Sequence, residues 1–238
     1  MIIYTANSTG KLMEALVARF PSRLGFMCSP GGQQAFPHHH FALDNGRYSS
    51  WSRKKRWSKR EYMKLIEWAL RQRIAPDWIL VPDVVADRDA TLREWERWLP
   101  ELEHLNWPLA FAAQDGMMAG DIPAEAAIVF LGGTYEWKWA HLNCWQGREL
   151  HVGRVNWLSK LEAAERAGAV SVDGTGWFRG DQNATLGLIA YLARGGVSRD
   201  RHEAFFGAAL DAFDNLRRWE KRRVKQLSAP LFDGVLYE

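Results

Sequence analysis

"WILVPDVVADRDATLREWERWLPEL", residues 78–102, joins the two patterns that decide the fold. Its first six residues are a short apolar, β-prone run closed by a carboxylate, Asp83. Further on, Leu92, Trp95, Leu99 and Leu102 recur at spacings of three and four, which puts them on one face of a helix. Asp87 stands where a helix starting at residue 88 needs an acceptor for its unpaired N–H groups. Strand, polar end, cap and amphipathic helix make one βα unit.

The same grammar recurs along the chain. Apolar runs that end in polar residues or glycine lie at 1–6, 24–29, 41–46, 78–83, 109–115, 128–133, 150–154 and 170–174. Helical stripes fall between several of them: Leu12, Leu16 and Phe20; Tyr62, Leu65, Ile66 and Ala69; Leu158 and Leu161, with Asn156 as the expected cap. Strands alternating with helices pair in parallel through crossovers, and nearly continuous apolar strands are buried on both faces. Eight such runs predict an α/β fold, a closed (β/α)8 barrel of the TIM type, rather than an open doubly wound sheet. The chain reads as one barrel domain over 1–238, ending in a helical segment over about 181–226 with Phe206, Leu210, Phe213 and Leu216 along one stripe. "PGGQQAFPHHH" (30–40) does not fit a crossover helix and predicts a loop.

Composition narrows the classes. With 47% apolar and 25% charged residues the chain is an ordinary globule, and no apolar run reaches the roughly 18–20 residues that a bilayer crossing needs. The start of the sequence has no basic leader before an apolar stretch, so a cytoplasmic location is expected. Two cysteines, Cys28 and Cys144, cannot build a Cys-rich zinc site or a disulfide framework, and both are expected as reduced, buried thiols. The run His38–His40 invites a metal reading, but neighbours in an extended segment point to opposite sides. A polar loop near the site, touching nucleic acid, is the preferred reading, with no metal and no cofactor.

The net charge of +3 is mild, but "WSRKKRWSKR" (51–60) and "RRWEKRRVKQ" (217–226) concentrate the basic residues, in a chain with 13 tryptophans. Trp51, Arg53, Lys54, Lys55, Arg56 and Trp57 therefore suit phosphate pairing and base stacking. The competing reading is two solvated helix faces.

In such a barrel, substrates bind at the C-terminal ends of the strands, so the polar residues closing the apolar runs converge on one mouth. They are Asp44 and Asn45, Asp83, Gln114 and Asp115, Gly132 and Gly133, Arg154, and Asp173. Any one alone reads equally as a cap or a turn. Two carboxylates on different strands can divide labour, one attacking carbon and the other carrying a proton, which fits substitution at a sugar carbon. A Gln amide, backbone amides of a Gly pair and a third Asp match the donors and acceptors of a purine edge. Arg154 and Asn156 are placed to contact phosphate or base, or Arg154 to pair with Asp173 or Asp83.

"LDNG" (43–46), "VPDVV" (81–85), "AAQDGM" (112–117), "FLGGT" (130–134), "HVGRVN" (151–156) and "SVDGTGW" (171–177) together resemble the barrel of the tRNA-guanine transglycosylase superfamily. They look most like its phage and bacterial DNA-modifying branch, the DpdA-type DNA 7-deazaguanine transglycosylases. The likeness runs from about residue 24 to 180. It implies a base exchange in which guanine leaves a polynucleotide and a 7-deazaguanine takes its place. By that likeness Asp173 is the nucleophile at C1′ and Asp44 the general acid/base, while Asp83, Gln114, Gly132 and Gly133 grip the base. The partners implied are DNA, with its guanine flipped or single-stranded, and the free base. The chain departs from the tRNA enzymes in lacking their cysteine-and-histidine zinc segment, in "DNGRYSSW" after Asp44, and in the continuation "DGTGW". The alternatives are a zinc-less tRNA-guanine transglycosylase, a silent nucleic-acid-binding barrel, and a histidine-dependent metal hydrolase.

Overall fold

The computed structural model describes residues 1–6, 10–32, 39–178 and 182–194. Backbone contacts divide the chain into two compact units, Met1–Leu188 and Ile189–Glu238. The first holds eight strands: β1 (Ile2–Ala6), β2 (Leu24–Cys28), β3 (Phe41–Leu43), β4 (Ile79–Leu80), β5 (Leu109–Ala113), β6 (Ile128–Leu131), β7 (Glu149–Val152) and β8 (Ser171–Gly174). All pair in parallel in chain order, and β8 closes on β1 with Tyr4 opposite Asp173. The predicted closed (β/α)8 barrel is the observed fold.

Helices α1 (Lys11–Arg19), α2 (Arg47–Ser52), α3 (Lys59–Leu70), α4 (Arg88–Leu102), α5 (Tyr135–Ala140) and α6 (Leu158–Arg166) lie between the strands, and α7 (Gln182–Arg194) follows β8. The expected stripe at 206–216 and the basic run at 217–226 fall outside the described residues. Between β2 and β3, residues 29–32 and 39–40 carry neither helix nor strand, as the loop expectation required.

Side chains alternate along each strand, so one parity fills the barrel and the other meets the helices. Tyr4, Met27, Ala42, Trp78, Leu80, Ala110, Ala112 and Ile128 form the interior cluster, with Phe130 against it. The other parity packs outward: Phe41 meets Trp68 of α3 at 5.5 Å between ring centroids, and Phe111 meets Trp95 of α4 at 5.4 Å. Burial on both faces is why the runs read as continuously apolar. Extending the inward parity past the apolar residues gives Asp44 from β3, Gln114 from β5, Gly132 from β6 and Asp173 from β8, all at the mouth.

Three local expectations change. The buried stripe of α1 is Met13, Leu16 and Val17, with Leu12 and Phe20 half-buried; that of α4 is Thr91, Trp95, Trp98 and Leu102. A rotation of one residue swings the packing face by about 100°, and only contact with the barrel selects it. Asp87 caps α4 as expected, accepting from the Ala90 N–H at 2.9 Å. Asn156 does not cap α6: Trp157 holds that position, and the Asn156 side-chain Oδ1 instead accepts the Gly176 N–H at 2.8 Å. Cys28 is buried but Cys144 is exposed, in the turn after α5, contrary to expectation.

Candidate active site

A cavity of about 790 Å³ opens at the C-terminal ends of the strands, within the size range of small-molecule sites. Asp44, Asp83, Gln114, Gly132, Gly133, Arg154, Asn156 and Asp173 all line it. Of the interior cluster, Met27, Leu80, Ala112 and Phe130 line the cavity, whereas Trp78 and Tyr4 do not.

Asp173 is the penultimate residue of β8 and is 9% exposed. Its Oδ1 takes two contacts, His151 Nε2 at 3.1 Å and the Arg154 backbone N–H at 3.2 Å. No described residue bonds its Oδ2. The Arg154 amide reaches it because that residue adopts φ 58°, in the left-handed region. The glycine after Asp173 is required by space: a Cβ on Gly174 would collide with the Val155 carbonyl oxygen. An acid at a strand end backed by glycine is thus an acid whose backbone is gripped by the next loop.

Asp44, just past β3, is held by its own turn: Ser29 donates to Oδ2 at 2.9 Å and the Gly46 N–H to Oδ1 at 3.2 Å. Burial pushes its carboxyl above the usual range; the two hydrogen bonds oppose this, and the nearby charge of Asp173 adds to it. Asp83 is raised to about 6, chiefly by burial, against the bond from Asn45. Both its oxygens are taken, Oδ1 by Asn45 Nδ2 and Oδ2 by Gln114 Nε2, each at 2.7 Å. Gln114 in turn accepts from the Ala86 N–H at 2.9 Å. Asn45, Asp83 and Gln114 are therefore one interlocked set rather than three free groups.

Gly133 adopts φ 62°, and a Cβ there would lie 2.7 Å from Asp115 Oδ2. Its carbonyl receives Arg154 Nη2, while the guanidinium stacks 4.2 Å over Tyr48. Arg154 therefore pairs with neither carboxylate through its side chain. Asp115 ties the loop after β5 to that after β6, accepting from the backbone and hydroxyl of Thr134, and does not line the cavity.

On the rim, Arg53, Lys54, Lys55 and Arg56 are all exposed. Arg53, Lys55 and Arg56 line the cavity, as does Trp57; Trp51 and Lys54 do not. Trp57 is partly committed to the fold, donating to the Asn45 carbonyl at 2.7 Å with Arg47 stacked 4.0 Å over its ring. Trp51 is free to stack, 56% exposed and 5.8 Å from Tyr48. Across the mouth, Tyr135 after β6 and Trp157 after β7 are also exposed. His40 corrects the expectation of a histidine loop at the mouth: it precedes β3 at the opposite end, with Nδ1 3.1 Å from Asp77, which also accepts Tyr4. The reason is topological, since a residue immediately before a strand enters at the bottom. His38 lies outside the described residues. Among the described residues no three His, Cys, Asp or Glu side chains form a metal-binding group.

Sequence reading passed over two buried groups. His151 is fully buried and touches Asp173. Its signal was parity: it stands two residues before Gly153 in β7, so it points inward. Lys138 of α5 is 1% exposed, with Nζ on the Gly153 carbonyl. Burial and the charge of Arg154 bring its pKa down to about 7, against the pull of Asp173. Nothing in "YEWKWA" marks it.

Fold and site define a class: a (β/α)8 barrel whose mouth holds three carboxylates, Asp44, Asp83 and Asp173, in unlike surroundings around one cavity. Compared with protein-family models and with curated proteins, the chain matches none. Among the described residues no helix is long and apolar enough to cross a membrane.

Proposed function

We propose that the barrel replaces the guanine on the sugar C1′ of a nucleotide in a polynucleotide, DNA in the first instance, with a 7-deazaguanine. The observation that carries this is Asp44 and Asp173 on the wall of one cavity. One is anchored by a single oxygen, and the other is buried with its affinity for a proton raised.

Asp173 Oδ2 attacks C1′ as the bond from C1′ to the guanine nitrogen breaks, giving an aspartyl ester of the sugar. Asp44 supplies the proton that the leaving base needs. The incoming base gives a proton back to Asp44 and attacks C1′ as the ester bond breaks, so no oxidant or reductant enters. Asp83, with its neighbours Asn45 and Gln114, offers a hydrogen-bonding edge for the heterocycle. The strand-end motifs resemble those of guanine transglycosylases, in agreement with this assignment.

A polynucleotide substrate is favoured by the exposed cations at 53–56 and by aromatic side chains on opposite sides of the mouth, Trp51 after β3 and Trp157 after β7. The target base has to leave its stack to reach the carboxylates. The test is incubation of the purified chain with labelled guanine and matched DNA and tRNA, followed by nucleoside mass analysis with candidate 7-deazaguanines. Label in DNA is expected. Label in tRNA alone would move the reading to the RNA exchanger, and no label in either would leave a binding barrel.

A further inference from the structure

We propose that His151, tied from below by Ser171, is a positioning residue that holds Asp173 by Oδ1 and leaves Oδ2 to the cavity. This rests on the reading of Asp173 as the attacking carboxylate. In the β7–β8 register His151 stands opposite Ser171, and Asp173 follows two residues later on the same inward face. Same-face neighbours on a strand are roughly 6.6 Å apart, a span that one imidazole can bridge. It does so: Nδ1 lies 2.8 Å from Ser171 Oγ and Nε2 lies 3.1 Å from Asp173 Oδ1.

The remainder of the ring is packed in place. Phe130 stacks on it at 4.8 Å between centroids, and Trp78 meets it at 4.7 Å. The ring is fully buried. An ionised carboxylate only accepts, whereas a hydroxyl donates or accepts. The assignment that satisfies all three groups puts the proton on Nε2, donated to Asp173, with Nδ1 accepting the Ser171 hydroxyl. The charged groups around the ring are Asp173, which favours its protonation, and Lys138, which opposes it together with burial. Tyr4 also faces the ring, but its hydroxyl is turned to Asp77. The imidazole is thus a neutral donor, and with the Arg154 amide it makes a two-point grip on one oxygen.

The test has an arm that needs no activity. In full-length protein labelled with ¹⁵N-histidine, the His151 signal, identified by its loss in His151→Gln, is expected as the neutral Nε2–H tautomer at neutral pH. Ser171→Ala should release that tautomer. A ring protonated on both nitrogens, or on Nδ1 alone, would overturn the proposal whether or not the chain exchanges bases. His151→Phe keeps a ring and loses the donor, so the carboxyl ¹³C chemical shift of Asp173 at neutral pH should move in that variant and return toward wild type in His151→Gln. In the exchange assay, His151→Phe should lower kcat about tenfold with KM for DNA little changed, and His151→Gln should recover most of it. An Asp173 carboxyl chemical shift that ignores both substitutions sinks the proposal. Exchange absent from wild type, with the tautomer and the carboxyl shift as expected, would remove the reaction and leave the grip.

Discussion

Asp44 and Asp173 carry the same functional group into different surroundings, and the difference assigns their work. Asp173 is gripped through one oxygen by an imidazole and an amide, which fixes its direction and leaves the other oxygen to the cavity; Asp44 is buried, which favours its own proton. Asp173→Asn should abolish exchange and the covalent sugar adduct, as read by mass spectrometry, with the circular dichroism of the folded protein unchanged. Asp44→Asn should lower the exchange rate by about 10²- to 10⁴-fold, the usual worth of a positioned proton donor. Asp83 offers a pH test. Its folded carboxyl, at about 6, holds a proton that the unfolded chain releases near its ordinary lower value. That stabilising contribution is complete below the unfolded value and is lost as pH rises through about 6. Between about pH 4 and 8, wild type should therefore lose on the order of 2–3 kcal/mol relative to Asp83→Asn in urea unfolding. Parallel pH profiles for the two proteins would contradict it.

The elements are fixed by devices at their ends. Asp87 closes the first turn of α4, and Asp87→Ala should cost about 1 kcal/mol in denaturant unfolding. Gly174 ends β8 where a side chain would press on the Val155 carbonyl, so Gly174→Ala should destabilise by about 1–3 kcal/mol or more and lower the melting temperature. The turn after α2 places Arg53, Lys55 and Arg56 on the rim. Replacing all three with Gln should weaken single-stranded DNA binding and flatten its salt dependence by about two units of log K against log salt, measured by fluorescence anisotropy. An unchanged slope would mean that these cations solvate a helix end and meet no phosphate.

At the scale of the whole molecule, the barrel brings residues 44 and 173 to one cavity although 129 positions separate them along the chain. A ligand that fills that cavity binds only the folded state. Free guanine or a 7-deazaguanine at about 100 times its Kd should add about 2.7 kcal/mol to stability, visible as a rise of several degrees in Tm. No shift with any purine would mean that the mouth is shaped for something else.

Eight strands, four of the helices between them (α1, α3, α4 and α6) and the order in which polar groups leave the strands are legible in the sequence. Those follow from period-two and period-3.6 burial, which is local information. Asp44, Asp83, Gln114, Arg154 and Asp173 were legible as members of one mouth because strand ends in a parallel barrel share a face. Which partner each group has is settled only by the folded barrel. Asp115 and Asn156 tie neighbouring loops together, Trp57 goes partly to the core and His40 to the opposite end, while His151 and Lys138 come in beside Asp173. The hydrogen-bond partners come from neighbouring strands and the loops that follow them, tens of residues apart in sequence. The register of the closed sheet sets them, and no local pattern carries it.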